Sequence, residues 1–269
     1  VIDPALLDPA RIMVAGDWHG NSAWAEKGIH RAREQGCDVI VHVGDFGWWP
    51  GPDGDHYLRH LQHNLEDCGI ILYWIDGNHE NHDSIQEWLE ATDSQPWSDK
   101  RYPNIIHLPR GYRWQWWNQT WLAMGGAHSV DRHLRTEGRS WWPGEHITDE
   151  QVQRGISGGE VDIMICHDVP AGVEIPGIDA DEKLDSEKSF WPIDQIRAAN
   201  THRRQLARVV DAVKPKYLFS GHYHVRHQTR RGLGGTLVNI LDCDGSTLDR
   251  NTLFLNPPEG WTIPWGVID

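Results

Sequence analysis

The sequence predicts an α/β fold arranged as a four-layer α/β/β/α sandwich, two packed mixed sheets flanked by helices. Three observations point there. Short apolar runs alternate with helical stretches as far as residue 90, the signature of parallel βαβ units. Between 104 and 126 the apolar segments "NIIHL", "YRWQWW" and "TWLAMGG" follow one another with only short breaks, which suits adjacent strands or hairpins. No linker, internal repeat or low-complexity tract divides the 269 residues, so one domain spanning 1–269 is expected.

The elements follow in order. "RIMVA" (11–15), "DVIVHV" (38–43) and "IILYWI" (70–75) read as buried strands, separated by helices over 22–35 and 55–67 and followed by one over 82–90. After the closely spaced strands comes a polar loop (127–146), a helix near 148–156 and the strand "VDIMIC" (161–166). A Pro/Gly-rich acidic stretch from 169 to about 190 reads as a long surface loop. Helix 192–213 and strand "KYLFS" (216–220) follow, and "VRHQTRR", "TLVNIL" and "TLFLN" close the pattern as strands.

Composition narrows the function classes. Hydrophobic residues at 39% with 24% charged are those of a globular chain. No apolar run approaches the ~20 residues of a membrane helix, so no membrane partner is expected. The opening "VIDPALLDPARIMVAGD" has no basic segment ahead of an apolar one, and four scattered cysteines lack CxxC spacing. The resulting expectation is a cytoplasmic location. A formal net charge of -14 argues against binding duplex DNA by bulk charge.

The loops after the strands carry the chemistry. Asp17 and His19 stand in "GDWHGN", where Asp17 or Asn21 also has the character of a helix cap. Asp45 follows in "GDFG", Asn78 and His79 in "GNHE", His167 in "CHDVP", and His222 and His224 in "GHYH". Parallel strands ending on one edge bring such loops together. Two carboxylates, an amide oxygen and several imidazoles make a mixed O/N set that suits Mn²⁺, Fe or Zn²⁺ better than Ca²⁺ or Mg²⁺. The set is too large for one tetrahedral ion. It suits two divalent ions about 3.5–4 Å apart, one carboxylate bridging, with a water or hydroxide between them.

In this order the blocks resemble the calcineurin-like metallophosphoesterase superfamily, whose pattern is D-x-H, GD, GNH[DE], a lone His, then GHxH. The resemblance spans residues 17 to 224. It implies one metal held by Asp17, His19 and His224, and a second held by Asn78, His167 and His222, with Asp45 bridging. It implies that His79 faces the substrate as general acid or transition-state donor. The implied reaction is hydrolysis of a phosphomonoester or phosphodiester by in-line attack of a metal-bridging hydroxide. Mn²⁺ is the expected metal, with Fe, Zn²⁺ or Ni²⁺ as alternatives. "GDFGWWPG" lacks the D-R-G of the protein Ser/Thr phosphatase branch, and Asp76-Gly77 stands where that branch has an arginine. The fuller strings look more like small bacterial or phage metallophosphoesterases of undefined substrate.

Other residues carry weaker signals. In "GGAHSVDRHLRTEGRSWW", Arg132 or Arg135 is expected to grip a phosphate oxygen, against the alternative of a solvated loop held by pairs with Asp131. Trp48 and Trp49 read as core cover rather than a stacking wall, and Trp18 as a side chain turned into the core. Glu80, Asn81, Asp83 and Asp168 flank ligand positions and suit a bracing role. His42, His107 and His202 read as ordinary structural or surface residues, and "HRRQLARVV" as a solvated helix face. The expected partner is a phosphate-ester substrate, a nucleotide or nucleic-acid end among them. The competing readings are a nuclease that processes DNA or RNA ends and an inactive metal-binding module; substrate and oligomeric state stay open.

Overall fold

The computed structural model describes residues 3–178, 190–233 and 235–257. The first sheet contains β1 (Ile12–Ala15), β2 (Val39–His42), β3 (Ile71–Trp74) and β4 (Ile105–His107), all parallel, in the order β1-β2-β3-β4. The second contains β5 (Arg113–Trp116), β6 (Gln119–Met124), β7 (Ile163–Cys166), β8 (Tyr217–Ser220), β9 (His227–Arg230) and β10 (Leu237–Ile240), in the order β5-β6-β7-β8-β10-β9. The run β6-β7-β8-β10 is parallel, with an antiparallel strand on each edge. The last strand, β11 (Thr252–Leu255), returns to the first sheet and pairs antiparallel with β1.

Strand alternation sorts the side chains into layers. Ile12 and Val14 of β1, with Val39 and Val41 of β2, face the second sheet and pack against Trp114, Trp116, Trp121, Ile163, Ile165 and Phe219. Met13, Ala15 and Ile40 point the other way, onto α1 (Ser22–Glu34), α2 (Gly51–Cys68) and α3 (His82–Ala91) through Ala25, Ile29, Leu58, Leu61 and Ile85. The outer face of the second sheet packs Met124, Met164 and Leu218 against Val152 of α4 (Asp149–Ser157) and Leu206, Val209 and Val213 of α5 (Ile193–Val213). Each fully buried aliphatic side chain of this size stabilises by about 1.5–3 kcal/mol. Three apolar layers between four structural layers give the α/β/β/α sandwich.

The helices start where the sequence supplies caps. Asn21 Oδ1 accepts from the Trp24 amide (3.1 Å) and opens α1. Thr148 and Gln151 form a reciprocal capping box on α4. Helix α2 begins earlier than the apolar pattern suggests, because Pro52 fits its first turn, where a missing N–H costs nothing. One expectation changes: "NIIHL" does not join the hairpin that follows it. As β4 it extends the first sheet beside β3, and only β5 and β6 form an antiparallel pair in the second. The acidic loop lies partly outside the described residues; its part from 169 to 178 contains no helix or strand.

Candidate metal centre

Five loops leave the C-terminal ends of β1, β2, β3, β7 and β8, and their side chains converge across the two sheets. Asp17, His19 and His224 form one group with the reach to hold an ion, and Asp45, His167 and His222 form another. Asp45 stands between them: its Oδ2 lies 3.5 Å from His19 Nε2, and its Oδ1 lies 3.3 Å from His167 Nε2. Asn78 Oδ1 approaches the same His167 nitrogen at 3.2 Å. His224 Nε2 lies 3.3 Å from Asp17 Oδ2.

The backbone is bent to allow this. His19, Asp45, His222 and His224 all have positive φ, between 45° and 70°. Such angles are costly for residues with a Cβ and persist where the surrounding structure imposes them. Two neighbouring glycines make room: a Cβ on Gly77 would strike the Asp45 carboxylate, and one on Gly221 would strike that of Asp17.

The donor set fits divalent ions. His167 Nδ1 donates to the Val43 carbonyl (2.8 Å), so its Nε2 points at two oxygens, Asn78 Oδ1 and Asp45 Oδ1. His19 Nδ1 bonds Asp244 Oδ1 (2.7 Å), which likewise turns its Nε2 toward Asp45. This is the arrangement by which an outer carboxylate or carbonyl aims a metal-binding imidazole. The electrostatics agree. Burial works against charge on His19, yet hydrogen bonds to Asp244 and Asp45 hold its pKa up at about 11. Burial also opposes charge on His167, and Asp45 holds it up at about 10. The carboxylates demand positive charge at this point, from protons or from metal.

The sequence profile of the calcineurin-like phosphoesterase family matches residues 10–226. This chain belongs to the calcineurin-like phosphoesterase family. Among curated protein sequences none matches it closely enough to count as a relative. Solved structures share the family's fold at low identity. TT1561 of Thermus thermophilus is 13% identical, with 93% of this chain and 100% of that chain covered at a TM-score of 0.53. A dimetal phosphatase from Danio rerio is 12% identical, with 94% of each chain covered at a TM-score of 0.57. Family membership and the two clusters together make the protein a metal-dependent hydrolase with a binuclear divalent-metal site.

Around this calcineurin-like centre the remaining sequence candidates fall into place unevenly. His79 lies beside it, its Nε2 3.8 Å from Asp45 Oδ2. Arg135 Nη2 donates toward that same nitrogen at 3.1 Å, and Asp131 grips Arg135 with both oxygens (2.7 and 2.6 Å). Burial and then the Arg135 charge lower the His79 pKa, against the pull of Asp45. Arg132 is placed differently, stacked 3.4 Å over the Trp141 ring and paired with Glu137. Glu80 accepts from the Gly47 and Gly77 amides and so ties the β2 and β3 loops together. Asn81 caps α3, and Asp168 holds His202 (2.8 Å) and Tyr223 (3.0 Å). Trp18 is fully buried as expected, while the Trp pair divides: Trp48 joins the core and Trp49 is partly exposed, its indole bonding the His79 carbonyl (2.8 Å).

Sequence reasoning missed several residues. Asp244 bonds His19 and Asn21, and its own amide donates to the Asp17 carbonyl (2.8 Å). It follows β10, so the rule that strand ends carry the site pointed to it. Ser129 accepts from Asn78 Nδ2 (3.0 Å) and donates to Glu145 Oε2 (2.6 Å), which fixes the amide with its oxygen toward His167. Arg110 forms a buried pair with Asp76 at 2.6 Å, beside His107. His42, His107 and His202 are all buried, as is Arg203, so the 202–210 helix face is solvated only in part.

Proposed function

We propose that this protein hydrolyses a phosphomonoester or phosphodiester. The observation that carries the reading is the position of Asp45, which joins two clusters of oxygen and imidazole donors directly beside His79. One ion would be held by Asp17, His19 and His224, the other by Asn78, His167 and His222, and Asp45 would serve both. When bound, two such ions lower the pKa of a water and polarise the phosphoryl oxygens. The mixed oxygen and nitrogen donors favour Mn²⁺, with Fe, Zn²⁺ or Ni²⁺ able to take the same set.

The chain's own residues do the rest. Arg135, held by Asp131 and aimed at the His79 edge, grips a non-bridging phosphate oxygen in the role expected of an arginine in this loop. Arg132 is committed to Trp141 and Glu137, which makes it the weaker candidate. His79, whose charged form burial and Arg135 disfavour, presents Nε2 to the centre. Once Arg135 turns from that nitrogen to the phosphate, Nε2 takes the ring proton and its N–H donates to the leaving oxygen as charge develops there. The part-exposed Trp49, bonded to the His79 carbonyl, offers a ring face for a base and so favours a nucleotide or nucleic-acid end among the substrates.

A Mn²⁺-supplemented panel of a generic phosphomonoester, a generic phosphodiester, cyclic nucleotides and end-labelled single-stranded DNA tests this reading. We expect metal-dependent turnover of at least one class, abolished by chelator and restored by Mn²⁺. Turnover indifferent to chelator sinks it.

A further inference from the structure

We propose that His128, Glu145 and His146 form a third divalent-metal site, separate from the binuclear centre and suited to a borderline ion of the Zn²⁺ type. His128 Nδ1, His146 Nε2 and Glu145 Oε1 converge, with separations of 2.6, 3.4 and 3.6 Å. Two imidazoles and a carboxylate are a zinc-type donor set.

The hydrogen bonds around the triad orient it. Gln195 Nε2 donates to Asp194 (2.9 Å), so its Oε1 faces His128 Nε2 and accepts from it at 3.1 Å. The proton of His128 therefore sits on Nε2, and Nδ1 presents a lone pair to the triad. An amide oxygen behind an imidazole in this way fixes the ring for a metal in front of it. Glu145 is fully buried, and among the described residues its ion-pair partners are the two imidazoles alone. Its hydrogen bonds are to neutral groups, the Ser129 amide to Oε1 (3.1 Å) and the Ser129 hydroxyl to Oε2, and the Arg135 guanidinium acts on it from a distance. A buried carboxylate with no Lys or Arg in direct contact is stabilised further by a cation bound against it. His146 is half exposed, which gives an ion a route from solvent.

Ligands 2.0–2.1 Å from a tetrahedral Zn²⁺ stand about 3.3 Å apart, so the two carboxylate–imidazole distances already match. The imidazole nitrogens now face each other head-on at 2.6 Å in nearly parallel rings, a hydrogen-bonded pair, so to share an ion they must part by about 0.7 Å and each ring must turn by roughly 35°. The ion would join residues 128 and 145–146, the two ends of the segment that carries Asp131 and Arg135. Its role is to clip that loop beside the binuclear centre.

Metal content after equilibrium dialysis against Zn²⁺ tests the site. His128→Ala and His146→Ala should each hold one ion fewer per chain than the unaltered protein, and the double variant should lose no further ion. Unchanged stoichiometry in both single variants overturns the proposal, as does a second ion lost in the double variant. Where a variant does not fold, crystals of the unaltered protein soaked in Zn²⁺ decide. An anomalous peak bonded to His128 Nδ1, His146 Nε2 and Glu145 Oε1 supports the site. Peaks at the binuclear loops with none here overturn it and leave the proposed hydrolysis standing.

Discussion

The two sheets contribute different chemistry to one centre. Loops of the first sheet bring the oxygen donors Asp17, Asp45 and Asn78, with two imidazoles, His19 and His79. Loops of the second bring only imidazoles, His167, His222 and His224. The two groups of the proposed binuclear centre draw on both sheets: Asp17 and His19 meet His224, and Asp45 meets His167 and His222. Neither sheet alone supplies the donors of these two groups. The inter-sheet layer of Val14, Val41, Trp121, Ile165 and their neighbours is thus what brings carboxylates and imidazoles within coordinating reach. The contributions differ in burial too: Asp17 and Asp45 are inaccessible, while the His224 side chain is 48% exposed and marks the open side.

The sharpest way to break this comparison is to remove one donor from each sheet. Asp45→Asn and His222→Ala should both lower kcat by about 10²–10³-fold or more, since each strips charge stabilisation from the reacting group. Metal analysis should show a lost ion in both. A His222 variant with full activity would mean that the first sheet suffices. Arg135→Ala should come next, lowering kcat/KM about 10–100-fold through loss of a charge-assisted hydrogen bond. Because the Arg135 charge depresses the His79 pKa, its removal should also move the His79-dependent limb of the pH–rate profile to higher pH. A limb that stays put would separate His79 from that arginine.

A smaller effect is expected from Asp244→Asn, which leaves the donor set intact and loosens only the His19 ring. Metal affinity should fall about tenfold, measured by competition with a chelator. The smallest effect at neutral pH concerns stability. His82 is buried beside the first sheet, where burial, reinforced by Arg110 and opposed by Asp76, lowers its pKa to about 3. Burial likewise lowers His42 and His107. These groups take up protons more readily when unfolded. The stability they leave intact is therefore full above the unfolded value of about 6.5 and falls as pH drops toward the folded values. Hydrogen exchange at pH 4.5 should accelerate in β2, β3 and β4 before β7 and β8. The reverse order would show that the imidazole-rich sheet is the weaker one.

The site was more legible in the sequence than its supports were. Asp17, Asp45, Asn78 and His167 announce themselves because each follows an apolar strand within a few residues, and parallel topology does the rest. Layer order was equally readable from the alternation of strand and helix. Pairing was not: "NIIHL" sits close in sequence to the β5–β6 hairpin, yet its register with β3 is set by packing at long range. The Asn78–Ser129–Glu145 chain was hidden for the same reason, since its members are 51 and 16 residues apart. Trp49 shows the limit of composition. Nothing local distinguishes it from Trp48, and only the fold decides that one joins the core and the other stays at the surface.

The return of β11 to the first sheet has a consequence for the order of synthesis. The Asp17 loop is stitched to the segment between β10 and β11: Gly16 N donates to the Asn251 carbonyl (2.8 Å), Asn251 Oδ1 accepts from the Trp18 indole (3.2 Å), and Asp244 holds His19. A nascent chain that has just emerged through "GHYH" already carries every motif residue of the centre. It still lacks the segment that sets Asp17 and His19 in position. The Asp17–His19 geometry therefore waits for β11, and a chain truncated before residue 242 would keep Asp17, His19 and His224 without the contacts from Asp244 and Asn251 that position the first two.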